Sequence, residues 1–123
     1  FIGYVREVHL PALYTMCAGF CCVSHYEGFG LPVLEAMACG SPCMVSNVSS
    51  LPELVEDTGA LVDPDDVQSI RSGFIRLSQL SDQDNTEMKT MQQTWKFSWL
   101  KMWLAYADLY ESLLLDGERG DQY

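Results

Sequence analysis

The sequence predicts an α/β fold in which a parallel sheet is flanked by helices. Short apolar, β-branched runs alternate with segments of helical periodicity, which is typical of strands that are connected by helices. The run 20–24 is apolar almost throughout, as expected of a strand that is covered on both faces. A Gly-Phe-Gly turn follows this run and leads into a helix with Pro32 in its first turn. Strand, turn and helix in this order indicate a sheet of parallel strands.

The elements are predicted in the following order along the chain. Short apolar runs bounded by turn residues predict strands at 1–5, 20–24, 42–46 and 60–62. Apolar residues at helical spacing, with Pro or Gly near the ends, predict helices at 10–18, 32–39, 50–56, 66–80 and 99–115. Residues 81–94 are expected to form a polar helix or a loop. We therefore assign residues 1–115 to one partial domain and the charged residues 116–123 to a flexible tail.

Two helix starts and one helix face carry further signals. Asp63-Pro64-Asp65 is expected to cap the helix 66–80, and Ser98 is expected to cap the helix 99–115. Three tryptophans follow one another at helical spacing: Trp95, Trp99 and Trp103. This spacing predicts a packing stripe in preference to a face that stacks on a ligand.

The length and the start of the chain limit its organisation. A chain of 123 residues forms one compact unit at most, because domains have roughly 100–200 residues. No apolar run approaches the ~20 residues that a membrane-spanning helix requires. The chain begins within a predicted strand, without Met and without the basic and apolar regions of a signal peptide. We therefore expect it to be part of a longer protein.

The distribution of charge excludes one class of partner. The net charge is −10, and residues 7–70 contain nine acidic residues but no Lys or Arg. Nucleic-acid binding requires a basic surface that neutralises phosphates, so no nucleic acid is expected as a partner. A phosphate bound by residues 7–70 would depend on backbone amides or on cations from outside this chain.

The cysteines are interpreted as buried, reduced thiols. The chain contains Cys17, Cys21, Cys22, Cys39 and Cys43. Their number is odd, and their spacing lacks the C-x2-C pairs of zinc sites. Apolar neighbours favour the role of small buried hydrophobic residues. Reduced thiols are typical of a reducing compartment, so a cytoplasmic location is expected.

The segment 27–35 combines the features of an anion-binding turn. A predicted strand ends near Ser24, Gly28 and Gly30 form a tight turn, and Pro32 opens a helix. Such a turn presents free N–H groups, and the helix dipole adds about half a positive charge at the helix start. In an open parallel sheet, this crevice lies at the carboxyl ends of the strands, where ligands bind. We expect the turn to bind a diphosphate.

Two glutamates bracket the turn. Glu27 immediately precedes it, so its carboxylate is expected to face whatever lies beyond the phosphates. Glu35 lies near the start of the helix, where side chains lean back towards the N-terminus. Both carboxylates are therefore expected to reach one ligand and to accept hydrogen bonds from its hydroxyl groups.

The segment YEGFGLPVLEAMACGSP resembles the signature of retaining glycosyltransferases with GT-B architecture, the glycogen-synthase-like and group 1 enzymes. Their motif is a Glu, seven residues and a second Glu, which Glu27 and Glu35 match. The similarity continues upstream through HLPALYTMC and downstream through SNVSSLPELVEDTGALVDPDD to the terminal helix. The resemblance covers residues 1–115 and implies the C-terminal portion of a GT-B donor-binding domain with a partial Rossmann-like sheet.

The resemblance implies a role for each matching position. Glu27 would be the catalytic residue, close to the reacting carbon of the transferred sugar. Backbone contacts to the sugar and the diphosphate would come from the turn residues Gly28, Phe29, Gly30 and Leu31. Glu35 would bind the ribose hydroxyls, and Tyr4 and Val5 would lie along the nucleobase.

The resemblance also implies the reaction and the partners. A hexosyl group would pass from a nucleotide diphosphosugar to an acceptor hydroxyl with retention of the anomeric configuration. The N-terminal acceptor domain of the same chain would precede residue 1. No cofactor and no metal ion are expected, because an Arg and a Lys from the preceding part and the helix dipole would stabilise the leaving diphosphate. Any peripheral contact with a membrane is expected through that preceding part alone.

Alternative interpretations remain open. The turn lacks the third glycine of G-x-G-x-x-G, which gives little support to a dehydrogenase. A sugar-nucleotide epimerase of the same architecture and a non-catalytic nucleotide-sugar-binding protein are the remaining alternatives. Three hydroxyl groups could bind phosphate, but we expect them to cap the following helices instead: those of the serines Ser41, Ser46 and Ser49. His25 is compatible with a phosphate contact and equally with a loop position without a role.

Overall fold

The computed structural model describes the backbone of residues 1–120 and the side chains of residues 1–114. It contains a parallel sheet of three strands, β1 (Phe20–Cys22), β2 (Cys43–Ser46) and β3 (Ala60–Val62). The strands lie side by side in this order, with Phe20 opposite Cys43 and Met44 opposite Ala60. The predicted α/β fold with a parallel sheet is confirmed.

The helices lie before, between and after the strands. They are α1 (Leu10–Met16), α2 (Leu31–Ala38), α3 (Leu51–Val55), α4 (Val67–Ser81), α5 (Thr86–Thr94) and α6 (Trp99–Gly120). The predicted helices are confirmed, and the segment that was expected to be a helix or a loop forms α5. Residues 116–120, assigned to the tail, continue α6, and residues 121–123 lie outside the described residues. None of the helices within residues 1–120 has the length and hydrophobicity that crossing a membrane requires.

β2 is the strand that is buried on both faces. Successive side chains of a strand point to opposite faces, so β2 contributes to two clusters. Cys43 and Val45 pack with residues of α2 and α3, namely Val33, Ala36, Met37, Leu51, Leu54 and Val55. Met44 packs on the other face with Ala60, Val62 and Leu77. Helices therefore cover both faces of the sheet at β2.

β1 is an edge strand in the described sheet, which corrects two predictions. Its expected burial on both faces is wrong, because Cys21 is exposed. The strand predicted at 1–5 does not form. Gly3 has a φ of +67°, which interrupts an extended backbone, and the adjacent Tyr4 is exposed. A strand exists only when a neighbour pairs with it, and a local apolar pattern does not reveal that neighbour.

The helix caps agree in part with the predictions. Asp66, directly before α4, accepts a hydrogen bond at Oδ1 from the amide of Gln68 at 2.8 Å. The prediction that Asp63-Pro64-Asp65 forms this cap is wrong, because Asp63 instead accepts from the amide of Asp65 at 2.9 Å and closes the preceding turn. The prediction for Ser98 is confirmed, since its Oγ accepts from the amide of Lys101 at 3.5 Å.

The tryptophan stripe does not pack within the described chain. Trp95, Trp99 and Trp103 remain 70%, 74% and 68% exposed. With the exception of Ala107, every residue of α6 up to 114 is exposed. Helical spacing indicates an apolar face but does not specify which surface this face contacts, and both faces of β2 are already covered by other helices.

The cysteines are free, but most of them are not buried. Cys43 is buried, whereas Cys17 and Cys21 are exposed and Cys22 and Cys39 are half-buried. The expectation of five buried thiols is therefore wrong, because Cys17 follows a surface helix and Cys21 faces outward from an edge strand. Burial raises the pKa of the Cys43 thiol to about 12. Within the described residues, no three His, Cys, Asp or Glu side chains are grouped as a metal ion would require.

Candidate functional site

The Gly-Phe-Gly turn lies between β1, which ends at Cys22, and α2, which begins at Leu31. Gly30 is the N-cap residue of α2, and its position provides no side-chain cap. Among the hydrogen bonds of the described residues, none uses the backbone amides of residues 28–31. Unpaired amides at the start of a helix, together with the helix dipole, are suited to anion binding.

The two glycines of the turn serve different purposes. Gly30 has a φ of +96°, and a Cβ at this position would lie 2.8 Å from a methyl carbon of Leu51 and 2.9 Å from one of Leu54. Gly30 therefore permits both the left-handed backbone and the close packing of the turn against α3. A Cβ on Gly28 would meet no atom within 4 Å. Gly28 leaves open space beside the turn.

Glu27 is half-buried and is tied to the end of β1. Its Oε1 accepts a hydrogen bond from the hydroxyl of Ser24 at 2.8 Å. Ser24 is itself anchored, because its carbonyl oxygen accepts from the Ser46 hydroxyl at 2.6 Å. The orientation of the Glu27 carboxylate therefore depends on β1 and, through Ser46, on the neighbouring strand β2.

Two serines beyond β2 hold the backbone of the turn. The carbonyl oxygen of Glu27 accepts hydrogen bonds from the Ser49 hydroxyl at 2.6 Å and the Ser50 hydroxyl at 3.2 Å. The Ser50 hydroxyl also lies 3.2 Å from the carbonyl oxygen of Phe29. Ser49 adopts a φ of +58°, a conformation that is uncommon for a residue with a side chain. These bonds connect the loop after β2 to the turn after β1.

The expectation that serines cap the following helices is wrong. The hydroxyl of Ser46 and that of Ser49 donate to the backbone around Glu27, as described above. The Ser41 hydroxyl lies 3.1 Å from Cys17 Sγ and donates to the carbonyl oxygen of Pro42 at 3.4 Å. Apart from the bond to Pro42, these contacts join segments that are distant in the sequence, so local capping rules did not indicate them.

Glu35 is exposed on α2 and has a partner on α1. Its Oε2 accepts a hydrogen bond from the Tyr14 hydroxyl at 3.2 Å. The Tyr14 ring packs edge-on against Phe20, with the ring centres 5.5 Å apart and the planes at 81°. Partial burial, and then the hydrogen bond to Glu35, raise the pKa of Tyr14 above its ordinary value. No local pattern in the sequence marks Tyr14 as a residue of the site.

A groove of about 440 Å³ adjoins the turn. One wall is formed by the start of α2 and the other by the connection from α5 to α6, and its lining includes Phe29, Leu31, Leu34, Phe97, Trp99 and Met102. The rings of Phe29 and Phe97 meet edge-on at 6.0 Å and 77°. The groove therefore places an apolar surface directly beside the predicted diphosphate cradle.

Two cations also line this groove. Lys96 Nζ lies 2.6 Å from Glu56 Oε2, and this hydrogen bond lowers the pKa of the exposed Glu56 carboxyl. Lys101 Nζ donates to the carbonyl oxygen of Trp95 at 2.6 Å. Both lysines lie far from residues 7–70 in the sequence, so the pattern of charge did not indicate that they would lie near the turn.

The remaining candidate residues are less closely connected to the turn. Tyr4 is exposed and Val5 is half-buried, and no hydrogen bond in the described part of the chain joins either of them to Glu27 or Glu35. His25 Nδ1 lies 3.7 Å from Asp65 Oδ1, with both side chains exposed. The structure thus places Glu27 immediately before the glycine turn and Glu35 on the helix that follows it, whereas Tyr4 and Val5 have no hydrogen bond to either glutamate.

Comparison with known families gives a match for most of the chain. The sequence model of the family described as glycosyl transferases group 1 matches residues 1–94. The match covers the whole sheet, the helices α1 to α5 and the turn with both glutamates. More than half of the chain therefore corresponds to one family.

Individual relatives also match most of the chain. The O-antigen chain mannosyltransferase B of Escherichia coli is 46% identical over 102 residues, which are 80% of this chain and 26% of that protein. The glycogen synthase of Mycobacterium tuberculosis (strain CDC 1551 / Oshkosh) is 33% identical over 128 residues, covering 99% of this chain and 30% of that protein. The chain thus spans about a quarter to a third of the length of these relatives.

A solved structure shows the same arrangement of elements. The sucrose-phosphate synthase from Thermosynechococcus elongatus superposes with a TM-score of 0.72 and 31% sequence identity, covering 94% of this chain and 30% of that chain. This likeness confirms the predicted fold, the α/β architecture of a GT-B glycosyltransferase. Family, relatives and fold agree, and the chain belongs to the group 1 glycosyltransferases.

Proposed function

We propose that this chain forms the donor side of an enzyme that transfers a hexosyl group from a nucleotide diphosphosugar to an acceptor hydroxyl, with retention of the anomeric configuration. One observation carries the proposal: Glu27 and Glu35 flank the uncapped start of α2 within the range of the family match. Relatives named mannosyltransferase and glycogen synthase support the transfer of a hexosyl group.

Glu27 is the proposed catalytic residue. Positive charge develops at the anomeric carbon as the bond to the diphosphate breaks, and a carboxylate in the right position stabilises this charge. Ser24 supports such a role because it holds one carboxylate oxygen at 2.8 Å and leaves the other available to the substrate. Catalysis would depend on this positioning and on the charge of the carboxylate.

The turn residues and α2 are proposed to bind the leaving diphosphate. Unpaired amides and the partial positive charge of the helix start would stabilise its negative charge. The backbone of Gly28, Phe29, Gly30 and Leu31 would make these contacts. The proposal includes no metal ion or other cofactor, so a chelator such as EDTA is expected to leave the transfer rate unchanged.

The nucleoside is proposed to lie on the α1 side of the turn. Glu35 would accept hydrogen bonds from the ribose hydroxyls, which a carboxylate binds well. The backbone and side chains of Tyr4 and Val5 would lie along the nucleobase. Exposure of Tyr4 and Glu35 is compatible with these contacts.

The domain assignment is also part of the proposal. Residues 1–115 would be one part of the donor-binding domain of a longer, cytoplasmic protein, with the acceptor domain encoded outside this sequence. The 123-residue chain alone is expected to show no sugar transfer, because the acceptor side and further cations are needed to complete the site. Product formation by the isolated chain would contradict this assignment.

The test of the proposed function is an assay of the full-length protein with a panel of GDP-, UDP- and ADP-hexoses. Release of the nucleoside diphosphate with transfer of the sugar to an alcohol or saccharide acceptor is the expected result. NMR of the product should show the same anomeric configuration as the donor. Glu27→Gln, which keeps the shape but not the charge, should abolish most of this transfer.

Other outcomes would contradict the proposal and identify an alternative. An inverted anomeric centre would contradict retention. Donor binding without release of the nucleoside diphosphate would favour a non-catalytic binding protein. A change in the sugar configuration without an acceptor would favour an epimerase.

A further inference from the structure

The hydrogen bond between Tyr14 and Glu35 connects α1 to α2, the helix that follows the turn. Tyr14 lies on α1, and its hydroxyl donates to Glu35 Oε2 at 3.2 Å. Among the described residues, no hydrogen bond occupies Glu35 Oε1. One oxygen of this exposed carboxylate therefore has a protein partner, while the other has no hydrogen bond among the described residues.

The position of the Tyr14 hydroxyl is determined by packing. The Tyr14 ring is half-buried against the core cluster of α2 and α3. Its edge-on contact with Phe20 places it against β1, with ring centres 5.5 Å apart. An aromatic ring has few rotatable bonds, so these contacts restrain the hydroxyl. Glu35, by contrast, is a flexible surface side chain that loses conformational freedom when it is held in one orientation.

Tyr14 remains a hydrogen-bond donor over the pH range in which enzymes usually act. Partial burial and the adjacent Glu35 carboxylate raise the pKa of the phenol above its ordinary value, which already lies near 10. The neutral phenol can donate to a carboxylate, whereas a phenolate would repel it. The contact is therefore maintained at neutral pH.

We propose that Tyr14 is a positioning residue for donor binding: it holds Oε2 of Glu35 and directs Oε1 towards the ribose hydroxyls of the nucleotide sugar. This inference rests on the proposed function. Because Tyr14 orders the carboxylate before the donor arrives, less conformational freedom is lost on binding. Tyr14 contacts neither the sugar nor the reacting bond, so its contribution is the same in the ground state and the transition state.

A double-mutant cycle in the full-length protein tests this inference. Tyr14→Phe deletes one oxygen and keeps the ring on Phe20. It should raise the donor KM by about 3–10-fold with kcat within twofold, because the freed Glu35 side chain must then be ordered when the donor binds and uniform binding affects KM alone. Glu35→Ala should raise KM further. Adding Tyr14→Phe to Glu35→Ala should then have no additional effect, because Tyr14 acts only through Glu35.

The matched control is Tyr106→Phe, which removes the same atom from an exposed tyrosine of α6. It should leave KM and kcat unchanged. An unchanged donor KM in Tyr14→Phe would contradict the positioning role while leaving the proposed function intact. The same holds if Tyr14→Phe raises KM by the same factor in the Glu35→Ala background as in the wild type. A lower kcat with an unchanged KM would also contradict it.

A second measurement does not depend on transfer activity. Urea unfolding of the same four proteins should show coupling between Tyr14→Phe and Glu35→Ala, because the two side chains share one hydrogen bond. Failure of the wild-type protein to bind or use any nucleotide sugar would contradict the proposed function. In that case the unfolding measurement still tests the contact itself. If the two substitutions show no coupling in the free energy of unfolding, Tyr14 does not hold Glu35.

Discussion

The Ser24 hydroxyl donates a hydrogen bond of 2.8 Å to the carboxylate of Glu27, three positions further along the segment between β1 and the glycine turn. Glu27 is half-buried, so this bond is partly protected from competition with water. The Ser46 hydroxyl in turn donates to the Ser24 carbonyl oxygen at 2.6 Å. The proposed catalytic carboxylate is therefore oriented by Ser24, whose backbone is held in turn by Ser46 of β2.

Ser24→Ala should lower kcat by about 10–100-fold and change the donor KM by less than about threefold, since a hydrogen bond to a charged group contributes about 1.5–3 kcal/mol. The reason is that Glu27 keeps its charge but loses its orientation. Steady-state kinetics with saturating acceptor measures both constants. Ser72→Ala is the control, because the Ser72 hydroxyl bonds only within α4, to the carbonyl oxygen of Gln68. Equal effects of the two substitutions would contradict the orienting role of Ser24.

Substitutions of the two glutamates should have different kinetic consequences. Glu27→Gln should lower kcat by roughly 100-fold, because its charge acts mainly in the transition state. Glu35→Ala should raise the donor KM by roughly 10–100-fold with little change in kcat, because the nucleoside is bound equally in both states. If Glu35→Ala lowers kcat and Glu27→Gln raises KM, the assigned roles are reversed.

Gly30→Ala should destabilise the fold, whereas Gly28→Ala should not. The φ of +96° at Gly30 costs a side-chain-bearing residue about 1–2 kcal/mol, and the contacts of 2.8–2.9 Å with Leu51 and Leu54 add about 1–3 kcal/mol of overpacking. Open space around Gly28 predicts a change below about 0.5 kcal/mol in the free energy of unfolding. Urea unfolding of both variants provides the comparison, and similar midpoints for the two would contradict the packing role of Gly30.

The thiols should react with iodoacetamide in an order set by burial and pKa. The thiolate is the reactive form, and the raised pKa of Cys43, about 12, keeps this buried group protonated at pH 8. Exposed Cys17 should therefore be alkylated first and Cys43 last in the native protein. Because the pKa of Cys43 is higher in the folded than in the unfolded state, its contribution to stability is complete below pH 9 and is lost as the pH rises towards 12.

Mass spectrometry of peptides from a time course of alkylation identifies each modified cysteine. Labelling in urea is the control, since all five thiols should then react at similar rates. Native labelling of Cys43 as fast as that of Cys17 would contradict the burial of β2.

The predicted fold depended on signals that are local in the sequence. Pro32 next to Gly30 marked the start of α2, and the apolar runs marked β1 to β3. The same kind of signal failed at residues 1–5, where an apolar run has no strand to pair with in the described structure. It also failed for the face of Trp99 and Trp103, because helical spacing does not reveal whether a partner surface is present.

The sequence by itself determined the glycine turn, the two glutamates that flank it and the order of strands and helices, because these depend on residue types at short spacing. The tertiary structure alone decided which side chains hold the glutamates. Tyr14 lies 21 positions from Glu35, and Ser49 lies 22 positions from Glu27. Their contacts arise from the packing of α1 against α2 and of the β2 loop against the turn after β1. Packing between distant segments depends on the whole fold and leaves no periodic signal in the sequence.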